Sequence, residues 1–174
     1  MRKLALLMAL FGLFSCNDAN ELTTVQELDL SKYQGVWHEI VRLPKSFEKN
    51  LDCVTATYTL LPSGKVEVVN RGRNTKDTSE WKSVKGSAKV PDSGKPGQLK
   101  VTFFWPFAGD YYVIDLAPDY RYALVGNPGR SYLWILSRNP QMPETEINLL
   151  LEKAKSLGFP VESIERINQS CFIE

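Results

Sequence analysis

The 174-residue chain reads as an all-β protein, an eight-stranded antiparallel up-and-down barrel with one C-terminal α-helix packed outside it. Three observations predict this. Short runs of period-two alternation recur between residues 35 and 136. Turns carrying Pro, Gly, Asn or Asp separate several of them at hairpin spacing. A helical pattern follows the last run. Eight sequential strands that close on themselves leave no exposed sheet edge and room for one small ligand.

The strands are expected at about 35–43, 53–60, 65–70, 81–90, 98–104, 111–116, 121–125 and 131–136. The second, Cys53-Val54-Thr55-Ala56-Thr57-Tyr58-Thr59-Leu60, is rich in β-branched residues and ends at Pro62-Ser63-Gly64. Pro91-Asp92-Ser93-Gly94, Ala117-Pro118-Asp119 and Asn127-Pro128-Gly129 close later strands. Pro143 suits a first helical position, and Glu144 and Glu146 suit the positive end of the helix dipole. Ile147, Leu150, Leu151, Ala154 and Leu157 share one face, which needs the barrel's outer surface to cover it. Gly158 and Pro160 stop the helix, and a short ninth strand is expected near 161–167.

Alternation sorts each strand into faces. Val54, Ala56 and Tyr58 form one face of the second strand. Val66, Val68 and Asn70 form one face of the third, Val84, Gly86 and Ala88 of the fourth, and Leu99, Val101 and Phe103 of the fifth. Asp115 marks an outward face, which turns Tyr112, Ile114 and Leu116 inward. These inward sets are apolar with hydroxyls and amides interspersed, and small residues sit among large ones. A filled core and a ligand cavity both fit that composition. Alternate loops share one end of such a barrel. Pro44–Leu51, with Phe47, and Phe104–Gly109, with Trp105 and Phe107, therefore rim one mouth, where exposed rings would touch a lipid as it passes or pack loop on loop.

The net charge of +1 gives no basic excess for nucleic acid. Arg2-Lys3 followed by the apolar run Leu4–Phe14 is too short to span a bilayer and reads as a secretory signal. Leu13-Phe14-Ser15-Cys16 resembles the bacterial lipobox, after which the mature chain begins at an acylated Cys16. The alternative is an ordinary signal with an incidental cysteine. The expected organisation is a signal over 1–15, a lipidated Cys16 and polar tether over 16–32, and one domain over 33–174. Multiple acyl chains give stable membrane anchoring. Loss of Arg2 and Lys3 with the signal would leave 19 basic against 20 acidic side chains, a net −1.

Catalytic and metal signatures are not found. His38 is the one histidine. It points away from the face of Trp37 and Glu39, so a surface or helix-facing role outweighs a catalytic one. There is no Gly-x-Ser-x-Gly elbow, zinc-ligand spacing or phosphate-binding glycine loop, and no cofactor is expected. Glu39 shares the inward face of Trp37, where a buried carboxylate needs a partner or a raised pKa; a structural ion pair is favoured over catalysis. Asn168-Gln169-Ser170 matches a glycosylation pattern and is read as chance.

Gly35-Val36-Trp37, Gly109-Asp110-Tyr111, and Trp134-Ile135-Leu136-Ser137-Arg138-Asn139-Pro140 followed by the helix together resemble the lipocalins, over about residues 33–167. With the lipobox they resemble the bacterial outer-membrane lipocalins of the apolipoprotein D-like branch. His38 stands where that motif usually carries Tyr. The resemblance implies a lipid-binding protein and not an enzyme. It would store or transport a fatty acid, a lysophospholipid or a similar ligand in the cell envelope, anchored by its acyl chains. Alternatives are a lipid-modifying enzyme on the same barrel and a structural or partner-binding lipoprotein with a filled barrel. The resemblance also turns Tyr132, Trp134 and Leu136 inward. The implied pocket is Ala56, Tyr58, Val66, Val68, Asn70, Val101, Phe103, Tyr112, Ile114, Tyr132 and Trp134. Trp37 and Arg138 would close the barrel's other end. Cys53 and Cys171 match the family's link between the second strand and the C-terminal tail, with two separate buried thiols as the alternative.

Overall fold

The computed structural model describes residues 21–173. Eight antiparallel strands form the barrel: β1 (Gly35–Arg42), β2 (Leu51–Leu60), β3 (Val66–Asn74), β4 (Asp77–Lys89), β5 (Gln98–Phe104), β6 (Phe107–Leu116), β7 (Tyr122–Gly126) and β8 (Leu133–Ser137). Each pairs with the next, and β1 pairs with both β2 and β8, which closes the sheet on itself. A two-residue β9 (Glu165–Arg166) pairs with β1 at Val41 and Arg42, beyond the point where β1 and β2 part. The long helix α2 (Glu144–Ser156) begins one residue after Pro143, and a short helix α1 (Leu30–Tyr33) precedes β1.

Two apolar clusters lie on the two faces of this wall. Inside the barrel, Tyr33, Trp37, Tyr58, Val66, Val68, Leu99, Val113 and Leu136 pack together with their neighbours. Outside it, Ile147, Leu150 and Ala154 of α2 cover Val41, Leu124, Leu133 and Ile135. Both faces of β8 are thus buried, as its doubly apolar sequence requires. Lys153 binds Asp115 at 2.5 Å and Arg121 binds Glu146 at 2.7 Å, tying the helix to β6 and to the β6–β7 loop.

Three expectations are corrected. Tyr112 and Ile114 lie outside the barrel, in the layer beneath α2. A register shift between Val113 and Asp115 inserts one extra residue, so Ile114 and Asp115 both face outward while Val113 and Leu116 face in. The segment read as a tether is packed from Glu21 onward. Leu22 is buried in the outer cluster, the Val25 amide donates to the Val113 carbonyl, and the Asp29 amide donates to the Tyr120 hydroxyl. The segment Phe104–Gly109, read as a loop, is instead a strand hairpin with Phe104 paired to Phe107. The signal and Cys16 lie outside the described residues.

Candidate ligand cavity

The closed end is built on Gly35, Trp37 and Arg138. Gly35 has φ +100°, a conformation that favours glycine, and brings the backbone beside the Arg138 guanidinium. That guanidinium lies 3.8 Å from the centre of the fully buried Trp37 ring. It donates to the carbonyls of Lys32 (2.7 Å), Val36 (2.9 Å), Tyr33 (3.2 Å) and Tyr120 (3.2 Å). The Trp37 indole donates to the Tyr33 carbonyl at 2.8 Å. One cation thus ties α1, β1 and the β6–β7 loop across the barrel floor. Above it lies a chain of hydroxyls that the sequence reading missed. Tyr33 and Tyr111 are 2.7 Å apart, and Tyr58 donates to Tyr111 at 2.8 Å. Burial raises the pKa of all three, so they stay neutral donors and acceptors.

Exposure changes up the inner wall. Trp37, Ala56, Asn70 and Val84 are consecutive cross-strand partners and so share the interior face. Tyr58, Val66, Val68, Ala88 and Leu99, nearer the floor, are buried. Ala56, Asn70, Val84, Val101, Phe103 and Trp134, higher up, are only half-buried. The inward side chains of the upper wall are thus less tightly covered than those of the floor. Phe103 lies across Gly86, where a Cβ would come 2.7 Å from its ring. Asn70 Oδ1 has no partner.

At the rim, Tyr132 stacks on Trp134 with ring centres 5.6 Å apart, and Phe47 approaches Tyr132 at 6.3 Å. The Lys45 ammonium sits 4.7 Å over the Tyr132 ring. Phe47, Trp105 and Phe107 are exposed as the sequence suggested. Phe104, at the start of the same rim segment, is exposed with them. The wall beneath carries a charge cluster. Glu39, for which the sequence favoured a structural ion pair, meets Arg42 at 3.2 Å, because a register shift between Glu39 and Val41 swings Arg42 onto its face. Arg42 also binds Glu165 of β9 at 3.0 Å. Glu48, on the turn of 3-10 helix Ser46–Glu48, is buried and accepts from the Trp134 indole at 3.3 Å; its other oxygen is unpartnered.

Burial lifts Glu39 well above the ordinary carboxylate range, and the nearby Glu48 adds to the lift while Arg42 opposes it. Burial also raises Glu48, against the pull of Arg42 and the Trp134 bond. A carboxyl whose folded pKa is raised stabilises the fold fully below its unfolded pKa, and loses that contribution as pH climbs through the folded value. Stability should therefore fall as pH rises above the usual carboxylate range. Glu48→Gln should flatten that fall, raising the melting temperature at pH 8 more than at pH 5 in a pH series of thermal melts. An equal shift at both values would contradict it.

His38 lies on the outer face with its ring 4.9 Å from Phe172, and burial lowers its pKa. Cys53 and Cys171 are disulfide-bonded across a separation of 118 residues. Among the described residues no cluster of His, Cys, Asp and Glu could hold a metal ion.

A closed barrel with a stacked cationic floor, a half-buried apolar upper wall and one ring-lined mouth defines a protein that binds small hydrophobic ligands. The comparisons agree. The family model for a lipocalin-like domain matches residues 28–169, and the chain belongs to that family. It is 41% identical over 148 residues to the outer membrane lipoprotein Blc of Citrobacter freundii, covering 85% of this chain and 83% of that protein. It is 37% identical over 155 residues to apolipoprotein D of Mus musculus, covering 84% and 80%. Insecticyanin from the tobacco hornworm Manduca sexta superposes with a TM-score of 0.67 at 23% identity, over 85% of this chain and 84% of that one, a likeness of fold.

Proposed function

We propose that the protein holds a single-chain lipid, a fatty acid or lysophospholipid, in the upper cup, and that it stores or carries this lipid in a bacterial envelope. Cys16 would be the acylated first residue of the mature chain and fix the protein to the outer membrane, in keeping with the name of the Citrobacter relative. The carrying observation is the half-exposed inner wall around Ala56, Asn70, Val101, Phe103 and Trp134. Each methylene moved there from water contributes about 0.8 kcal/mol, so a long acyl tail supplies the affinity. The buried Tyr58, Val66 and Val68 form the base against which the tail end rests. Tyr132 and Trp134 flank the upper wall, and Phe47, Trp105 and Phe107 touch the lipid as it passes.

Ala56→Phe tests this. A ring placed on that wall fits only where space exists. The variant should melt close to the parent and lose at least tenfold in affinity for a fluorescent fatty acid. Native mass spectrometry of the parent from its own host should show a co-purifying lipid. A filled barrel would give the opposite pattern, with a large drop in melting temperature from overpacking and a parent that takes up neither dye nor lipid.

A further inference from the structure

We infer that the bound chain is oxygenated: its leading end carries a hydroxyl, which the Tyr111 phenol and the Asn70 amide hold between them. This rests on the reading that the upper cup takes a single-chain lipid, and it adds the chemistry of that lipid's inner end. The phenols are placed to meet it. In the closed ring of eight strands, β2 and β6 stand opposite each other. Tyr58 of β2 and Tyr111 of β6 both face inward, and their hydroxyls meet at 2.8 Å. Two side chains reaching from opposite walls meet near the barrel axis. Tyr33 comes up from α1 at the closed end and brings its hydroxyl within 2.7 Å of the same Tyr111 oxygen. The trio therefore crosses the bore as a bar, and a chain entering from the mouth ends on it.

Each hydroxyl carries one hydrogen. Among the described residues the three hydroxyls bond only to one another, through two contacts, so one hydrogen is left without an acceptor. When Tyr33 donates, the spare hydrogen is on Tyr111; when Tyr111 donates, it is on Tyr33. Tyr33 is 2% exposed and packed against the Trp37 and Tyr58 rings, whereas Tyr111 is only half-buried. A sealed donor without a partner is costly, so the spare hydrogen belongs on Tyr111. With Tyr33 below and Tyr58 beside it filling the oxygen's acceptor positions, that hydrogen points toward the mouth. Tyr58 is the cross-strand partner of Val68, and Ala56 of Asn70, so Asn70 stands one pleat nearer the mouth. It faces the interior, and its Oδ1 is buried without a partner. A spare donor and a spare acceptor one pleat apart in an apolar wall match a hydroxyl, which accepts and donates at once. A methyl end leaves both unpaired, and a keto oxygen answers only the phenol.

The test titrates the delipidated protein, by calorimetry, with laurate, myristate and palmitate and with the ω-hydroxy counterpart of each. At the chain length that fits best, the ω-hydroxy acid should bind about fivefold tighter than the plain acid. Tyr111→Phe and Asn70→Leu should each bring that ratio to one or below. Tyr33→Phe, which leaves the Tyr111 hydrogen free, should keep it. Thermal melts of all three variants check that they are folded at the temperature of the titration. A parent that binds the ω-hydroxy acids no better than the plain acids at every length would overturn the inference and leave the lipid-binding reading standing. So would a Tyr33→Phe variant that loses the preference as fully as Tyr111→Phe, since the spare donor would then not be on Tyr111. A parent that takes up neither series would overturn both.

Discussion

Arg138→Ala should lower the melting temperature by roughly 5–15 °C while leaving lipid affinity within about twofold. The guanidinium is the shared donor for the Lys32, Tyr33, Val36 and Tyr120 carbonyls and lies flat on the Trp37 ring. Removing it leaves several of these acceptors short of a partner and exposes one face of the indole. Hydrogen bonds to a charged group contribute about 1.5–3 kcal/mol each, but a shared group is not additive and water reaches part of this site. A total of about 2–4 kcal/mol is the reasonable size, and about 2–4 °C per kcal/mol converts it for a chain of this length. Arg138→Lys should recover little, because an ammonium cannot span carbonyls from three segments and stack on a ring at once. The affinity should hold because the cup lies above the tyrosine layer, away from the floor. Thermal melts and dye titration on the same samples read both quantities. A stable variant that has lost lipid binding would reverse the assignment.

The parts of the fold that sequence makes legible are those where one strand faces one way throughout. Val66 and Val68, or Val101 and Phe103, lie on unbroken stretches of alternation, and counting by two places them correctly. The count fails at Tyr112 and Ile114 because the irregularity before Asp115 leaves no mark in residue type. Asp115 does face outward, and counting back from it across the extra residue inverts the face of everything before it. The same cause hid the partner of Glu39. Arg42 is three residues on, which in a regular strand would put it on the opposite face. Glu48 sits in a short non-periodic turn, so its burial against Trp134 is purely tertiary. The packing of Leu22, Thr24 and Val25 is likewise tertiary, since these residues lie on no repeating face of their own. Motifs carried the site further than periodicity did. Trp37 and Arg138 came from the resemblance, and the structure lays the Arg138 guanidinium on the Trp37 ring beside Gly35.

Replacing both Cys53 and Cys171 by serine should cost about 4–5 kcal/mol and lower the melting temperature by about 10–20 °C. The bond closes a loop of 118 residues, and in the chain-entropy view most of its effect lies in the unfolded chain. A second effect lies in the folded state. Where β1 and β2 part, the tail fills the gap between them. The Ile167 amide donates to the Ile40 carbonyl and the Cys53 amide donates to the Asn168 carbonyl at 2.8 Å. The Gln169 side chain donates to the Glu39 and Val54 carbonyls at 2.7 and 2.9 Å. Cys53 itself has φ +50° at the bulge, a conformation that a side chain disfavours and that these contacts hold in place. With the tail untied, Phe172 should lift from His38 and the imidazole should regain water. Its pKa, lowered by burial in the intact protein, should then rise toward the ordinary value. Proton NMR of the single histidine in parent and variant follows that change directly. A large loss of stability with an unmoved His38 titration would place the whole effect in the unfolded chain. A drop of a few degrees or less would show that Gln169 and its neighbours hold the tail without the disulfide.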